Sequence, residues 1–266
     1  MQTLKKGMSA EMIYKLLLMG HLVGDFYVQS DKMAAKKKKD KRVLRKHCIY
    51  YMLSLLFLCS VVITKEEVLP FVLLVFGMGV IHEIIDSAKI RIENKTKHRH
   101  DIFLLLVDQC LHIAILFGGC FLLGLKGGEY ANLFGKRLDF SFISRETSVL
   151  LGILICAEPA SLLVKMVLNK LSEETERLHR EASNLIIAEY NPQTGSVIGI
   201  LEREIIFILG IIGQFGTIGF VLAAKSLARY KQLEDQQFAE KYIVGTLLSS
   251  FLAIICAVII KNYFFS

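Results

Sequence analysis

The chain has 266 residues, 53% of them hydrophobic and 21% charged, with 3 Pro, no Trp, a formal net charge of +7 and a positive mean hydropathy. Apolar runs of the roughly 17–25 residues that a membrane span needs recur too often for a soluble core of this size. No nucleotide-binding loop, nucleophile elbow or haem motif is present, which excludes those enzyme classes and leaves an all-α, polytopic α-helical membrane protein as the expected fold class.

In chain order, about seven transmembrane helices are predicted, over 12–30, 47–64, 68–90, 102–125, 147–169, 198–222 and 242–260. The first, third and sixth carry charges near their ends. The start does not read as a cleaved signal peptide, because its apolar run continues into His21 and Asp25 with no small-residue cleavage site before them. Residues 31–46 hold nine Lys or Arg, including Lys36 to Lys39, and residues 87–101 hold Lys89, Arg91, Lys95, Lys97 and Arg99. The turn between spans two and three, at Lys65, Glu66 and Glu67, holds one. The positive-inside rule puts the two basic segments in the cytoplasm and the N-terminus outside, although Lys5 and Lys6 oppose that orientation. Topology and anionic lipid head groups explain the basic runs more simply than nucleic acid, which is not an expected partner. The six cysteines all fall in apolar segments without a C-x-x-C pair, and read as small hydrophobes outside any disulfide framework.

Two regions are visible: a four-helix membrane domain over 1–125 and a C-terminal membrane region of about three helices over 126–266. The loop 126–146 joins them. Between spans five and six, Ser172 to Arg177 reads as a surface helix and Asn191 to Gly195 as a turn. Lys225 to Lys241 reads as an amphipathic helix on the membrane face. Gly210, Gly213, Gly216 and Gly219 recur every three residues, the mark of a close helix–helix contact in a membrane.

Three short patterns carry the chemistry: His21-x-x-x-Asp25, His82-x-x-x-Asp86 and Asp108-x-x-x-His112. A spacing of four puts both side chains of a pair on one helix face. Ionisable groups at membrane depth are costly and point to a functional site. Counting from the cytoplasmic ends, Asp25, Asp86 and Asp108 fall at depths of roughly 6–9 Å and the three His at roughly 12–15 Å. The order is reversed in the fourth span, as a shared layer requires of a helix running the other way. His47 would reach the rim of that layer. Three buried carboxylates repel one another and call for protons or cations. Imidazole and carboxylate suit zinc, manganese or iron, so a divalent metal held by His21, Asp25, His82, Asp86, Asp108 and His112 is the expected cofactor. A metal-free proton or ion relay, and plain polar packing between helices, are the other readings. His82-Glu83-Ile84-Ile85-Asp86 is close to the H-E-x-x-H of zinc hydrolases, which makes Glu83 the candidate catalytic base; it stands about 100° around the helix from His82. Lys89 reads as a lysine snorkelling to the head groups, or as a partner of Asp86. In the second region, Glu202, Arg203 and Glu204 read as salt-bridged residues at a helix end, with Glu202 and Arg203 joined to each other or to Lys165.

On these residues the sequence resembles a prokaryotic integral-membrane family known as domain of unknown function 3307. The resemblance is carried by His21-Leu22-Val23-Gly24-Asp25-Phe26 with Gln29 and Lys32, by His47, by His82, Asp86 and Lys89, and by Asp108-Gln109-Cys110-Leu111-His112. It covers about residues 10–125. Longer members are also similar at Gly199 to Arg203, at Ala224-Lys225-Ser226 with Arg229, and at Gly245-Thr246-Leu247. The family brings no established activity. A looser similarity links the H-x-x-x-D pattern to membrane-bound metal-dependent hydrolases, which is an analogy and does not establish function.

The expectation is a multi-pass protein of the prokaryotic inner membrane with a cytoplasm-facing metal centre. It would hydrolyse a lipid, a lipid-linked phosphate or a membrane peptide, with the metal activating water. The alternatives are a proton- or metal-ion-coupled transporter using the same residues, and a non-enzymatic accessory protein that docks a partner through the basic loops 31–46 and 87–101.

Overall fold

A computed structural model describes residues 2–96, 100–128, 130–133, 136–180 and 192–264. They form two compact units, Met1–Leu151 and Gly152–Ser266, and the division falls inside the sixth helix.

The first unit contains α1 (Gln2–Leu22), α2 (Asp31–Lys37), α3 (Lys41–Cys59), α4 (Val68–Lys95) and α5 (Asp101–Leu122), then two short antiparallel strands, β1 (Tyr130–Leu133) and β2 (Lys136–Asp139), and the start of α6 (Phe140–Cys156). Four of the helices close into a ring: α1 packs on α3, α3 on α4, α4 on α5 and α5 on α1. Neighbours in the ring run antiparallel. Gly20 lies against Leu55 and Gly24 against Tyr51; Gly79 lies against Met52, and Gly119 against Leu74. A Cβ on Gly24 would stand 2.9 Å from the Cα of Tyr51, so glycine is what lets these two backbones approach.

The ring sorts its interior by length along each helix. One end is apolar, built from Met12, Ile13, Leu17, Leu55, Cys59, Leu74, Met78, Leu116 and Cys120. At the other end the same inward faces, stepping on by helical repeats, present His21, Asp25, His47, His82, Asp86, Asp108 and His112, all buried. Outward, α4 exposes Leu69, Val72, Leu73, Phe76, Val80 and Ile84, and α5 exposes Phe103, Leu106, Leu111, Phe121 and Leu122. A helix apolar on both faces is what a bilayer accommodates. Glu67 fixes the start of α4: it completes a capping box with Thr64 and accepts the amides of Lys126 and Gly127 at 2.7 and 3.0 Å.

The second unit contains the end of α6, α7 (Glu158–Arg180), α8 (Pro192–Ile211), α9 (Phe215–Ala228) and α10 (Gln236–Phe264). The long α10 packs on α7 and α8 around Ile206, Phe207, Ala253, Ala257 and Ile260. Arg203, 2% exposed, donates to the carbonyls of Cys156 and Ala157 at 2.7 and 3.3 Å and to Ser249 at 3.2 Å, so its guanidinium ties α8 to the junction of α6 and α7 and to α10. Glu202 pairs with Lys225, which also donates to Thr246 at 3.1 Å; neither Glu202 nor Arg203 uses Lys165.

Several expectations change. Among the described residues four helices, not seven, are long and apolar enough to cross a membrane: Lys65–Lys95, Asp101–Leu122, Ile143–Ser172 and Gln236–Tyr263. The 12–30 span fails because α1 carries Lys15, a buried cation held by Glu11 and Ser144, and because the chain leaves the helix before Ser30. The 47–64 span is short because α3 begins among basic residues and ends at Cys59. The 198–222 span is broken at Gly213, whose φ of 80° ends α8, and of the four glycines there only Gly210 makes a close approach, to Ala257. Lys225 to Lys241 is not one amphipathic helix; it passes from the end of α9 through a 3-10 turn, Gln232–Glu234, into α10. Of the turn expected at Asn191 to Gly195, Asn191 lies outside the described residues, and Pro192 to Gly195 open α8, with proline at a helix start where its missing N–H costs nothing. The described cysteines are free, and only Cys110 is exposed.

Candidate metal centre

Each ring helix delivers its polar residues by a local device. The end of α1 passes into a single π-helical turn, Val23–Tyr27, closed by the Val28 amide on the Val23 carbonyl at 2.9 Å. The extra residue in that turn sets Asp25 over the bundle interior, and such π-bulges are frequent at functional sites. From α3 come His47 and, one turn on, Tyr51. His82 and Asp86 come from α4; Asp108, Gln109 and His112 come from α5.

The ligand atoms of Asp25, His47 and His82 converge, with Asp86 beside the two imidazoles. His47 Nε2 lies 3.0 Å from His82 Nε2, 3.3 Å from Asp25 Oδ1 and 3.8 Å from Asp86 Oδ2. His82 Nε2 lies 3.8 Å from both Asp25 Oδ1 and Asp86 Oδ2. Around a tetrahedral ion with bonds of about 2.0–2.1 Å, ligand atoms sit roughly 3.3–3.4 Å apart. The three separations within Asp25, His47 and His82, at 3.0, 3.3 and 3.8 Å, bracket that value. Two neutral imidazoles at 3.0 Å either share one N–H or turn both lone pairs to a common cation. The Nδ1 atoms of His47 and His82 are buried without a hydrogen-bond partner among the described residues. Asp25, His47 and His82 fit a divalent ion by the spacing of their ligand atoms, by donor chemistry and by burial.

Charge supports the same conclusion. Asp86 Oδ2 accepts Lys37 Nζ at 2.7 Å and Asp108 Oδ2 accepts Lys89 Nζ at 2.9 Å. Three buried carboxylates face two ammonium groups, an excess of negative charge that cations would offset. A second layer of hydrogen bonds fixes the ligands. The Gln109 amide donates to Asp25 Oδ2 at 2.7 Å and to Asp108 Oδ2 at 3.2 Å, while its Oε1 lies 3.0 Å from His21 Nε2. His21 Nδ1 in turn lies 3.3 Å from the Tyr51 hydroxyl, and the Tyr51 ring stacks on His82 at 4.3 Å. Such partners set ligand orientation, and losing one typically lowers metal affinity about 10- to 100-fold. Gln109→Leu is expected to weaken zinc binding by that factor while the melting temperature stays close to wild type; an unchanged affinity would remove Gln109 from the support of Asp25.

All six expected metal residues are brought together, although not with equal roles: His21 meets Gln109 and Tyr51 and stands behind Asp25 as support. His47, expected at the rim, is central. The spacing of His47 and Tyr51, again four residues, was the available signal. Glu83 is not in the cluster. The helical turn between it and His82 carries it to the outside of the bundle, where it accepts Arg45 Nε at 3.3 Å with 36% of its side chain exposed. Lys89 does not reach out to head groups; it turns in to Asp108. Lys37 and Lys38, taken from the sequence as topology charges, reach Asp86 and the buried Glu93, the latter at 2.9 Å.

These features define a predominantly helical chain with helices long and apolar enough to cross a membrane and, inside one helical ring, a buried His/Asp cluster able to hold a metal ion. Residues 13–123 match the family described as Protein of unknown function (DUF3307), the family that the motifs of the sequence resemble. The matched stretch contains every residue of the cluster. No curated protein and no solved structure matches the chain.

Proposed function

We propose that the protein is a multi-pass protein of a prokaryotic inner membrane whose first unit is a metal-dependent hydrolase, open to the cytoplasm and acting on a lipid, a lipid-linked phosphate or a membrane peptide. The observation that carries this reading is the convergence of Asp25 Oδ1, His47 Nε2 and His82 Nε2 within 3.0–3.8 Å in the buried end of the bundle, with Asp86 Oδ2 3.8 Å from each imidazole. A divalent ion held there, zinc, manganese or iron, supplies Lewis acidity and lowers the pKa of water. The protein groups do the rest. Gln109 and Tyr51 hold Asp25 and His21 in place. Lys37 and Lys89, with 13% and 21% of their side chains exposed, sit between the centre and the outside and favour an anionic substrate.

The transporter reading shares these residues but asks for a polar path through the bundle. The other end of the ring is packed with Met12, Leu17, Leu55, Leu74 and Leu116, which favours an enzyme. Purified full-length protein, loaded with zinc or manganese, is incubated with vesicles of total prokaryotic membrane lipid and with lipid-linked phosphates, and products are read by mass spectrometry. Hydrolysed product that disappears on chelation and in His82→Ala supports the proposal. Absence of any hydrolysis together with metal-ion flux into the vesicles would replace it with transport.

A further inference from the structure

The Asp25–His47–His82 cradle leaves part of the cluster unexplained. His112 is fully buried, and neither of its ring nitrogens has a hydrogen-bond partner among the described residues. Asp108 Oδ1 is buried and unpartnered too, although Oδ2 of the same carboxylate is bonded to Lys89 and Gln109. Leaving such groups unpaired is costly, and in a native site they call for an ion or water that meets them. They also face each other, with His112 Nδ1 3.7 Å from Asp108 Oδ1. That is too long for a hydrogen bond and is close to the spacing of two ligands on one ion. On the other side of His112 lies the cradle. Its ring is 4.3 Å from that of His82, and ligand atoms of His82, Asp86 and His112 all lie within 4.8 Å of one another. Asp86 therefore borders two groups of ligands, the Asp25–His47–His82 group and His112 with Asp108.

We infer that the bundle holds a second divalent-cation position beside the first, formed by His112, Asp108 and Asp86, with Asp86 the carboxylate shared by both ions. The inference rests on the metal-centre reading above and makes that centre dinuclear. A shared carboxylate suits ions about 3.5–4 Å apart, the spacing at which two metals clamp the attacking and leaving oxygens of one displacement. It also gives Lys37 a definite place. Its ammonium occupies Asp86 Oδ2, the oxygen that the ions need, so it is the counter-ion of that carboxylate until metal takes over. A phosphate ester, whose oxygens bridge two ions and accept from a released lysine, is the substrate class that such a centre favours over a peptide.

The test is a manganese(II) titration of the full-length protein in detergent, with bound metal counted by elemental analysis and read by electron paramagnetic resonance. Wild type is expected to bind about two ions and to give an exchange-coupled signal at saturation. His112→Ala and Asp108→Asn, each checked for a monodisperse folded peak, are expected to bind about one, with the six-line signal of an isolated ion. Two variants guard against one that fails to fold. A wild type that binds one ion, unaffected by both substitutions, would overturn the second position and leave the cradle intact. Loss of all metal in both folded variants would place His112 and Asp108 in a single site and also overturn the pair. No manganese or zinc in any form of the protein would overturn the metal centre itself.

Discussion

Replacing His82 by alanine is expected to weaken zinc or manganese binding by about 100- to 1,000-fold. Binding of a structural zinc ion is worth about 10–16 kcal/mol, so one ligand of four carries about 2.5–4 kcal/mol. In the proposed centre His82 would be a ligand that belongs to both candidate groups. Its Nε2 is within 3.8 Å of the ligand atoms of His47, Asp25 and Asp86, its ring stacks on Tyr51, and none of it is exposed. His82→Asn keeps most of the volume and separates ligand loss from the cavity that alanine leaves. Competition with a chromophoric zinc chelator reads the effect; wild-type affinity in both folded variants would take His82 out of the centre.

The second large effect belongs to the other unit. Lys225→Met is expected to destabilise it by about 3–5 kcal/mol, the usual cost of leaving one partner of a buried pair uncompensated. Glu202 is 6% exposed and its Oε1 has no hydrogen-bond partner among the described residues, so Lys225 and the Thr246 beside it are what hold the carboxylate on α8 against α9 and α10. The double variant Glu202→Gln/Lys225→Met is expected to recover most of the loss, because the two residues act through each other. Thermal unfolding of the detergent-solubilised protein measures both. A single variant as stable as wild type, or a double variant as unstable as the sum of the singles, would reduce the pair to a surface contact.

The sequence made the polar layer legible because a four-residue spacing survives as a pattern in one dimension. Each His/Asp pair marks one helix face, and the reversal in Asp108-x-x-x-His112 reports that α5 runs against α4. The ranking within the layer was not legible. Whether His47 sits at the rim or the centre depends on how deeply α3 slides past α1, which Gly20 and Gly24 set through contacts with Leu55 and Tyr51. The role of Lys37 was hidden for a related reason. In a run of like residues nothing singles out the one that a seven-residue helix turns inward. Glu83 shows the opposite error: a motif placed it in the chemistry, and the 100° step per residue took it out. The number of spans was overcounted because hydropathy sees neither Lys15, neutralised inside the bundle by Glu11, nor the positive φ at Gly213 that cuts one apolar run into two helices.

The most direct test of the metal centre is elemental analysis of the full-length protein purified in detergent, beside a His47→Ala/His82→Ala variant matched for folding. At least about one equivalent of zinc, manganese or iron in the wild type, lost in the variant, is the expected result. A wild type that carries none and takes up none on reloading would contradict the centre, and the buried layer would then be a hydrogen-bonded network alone.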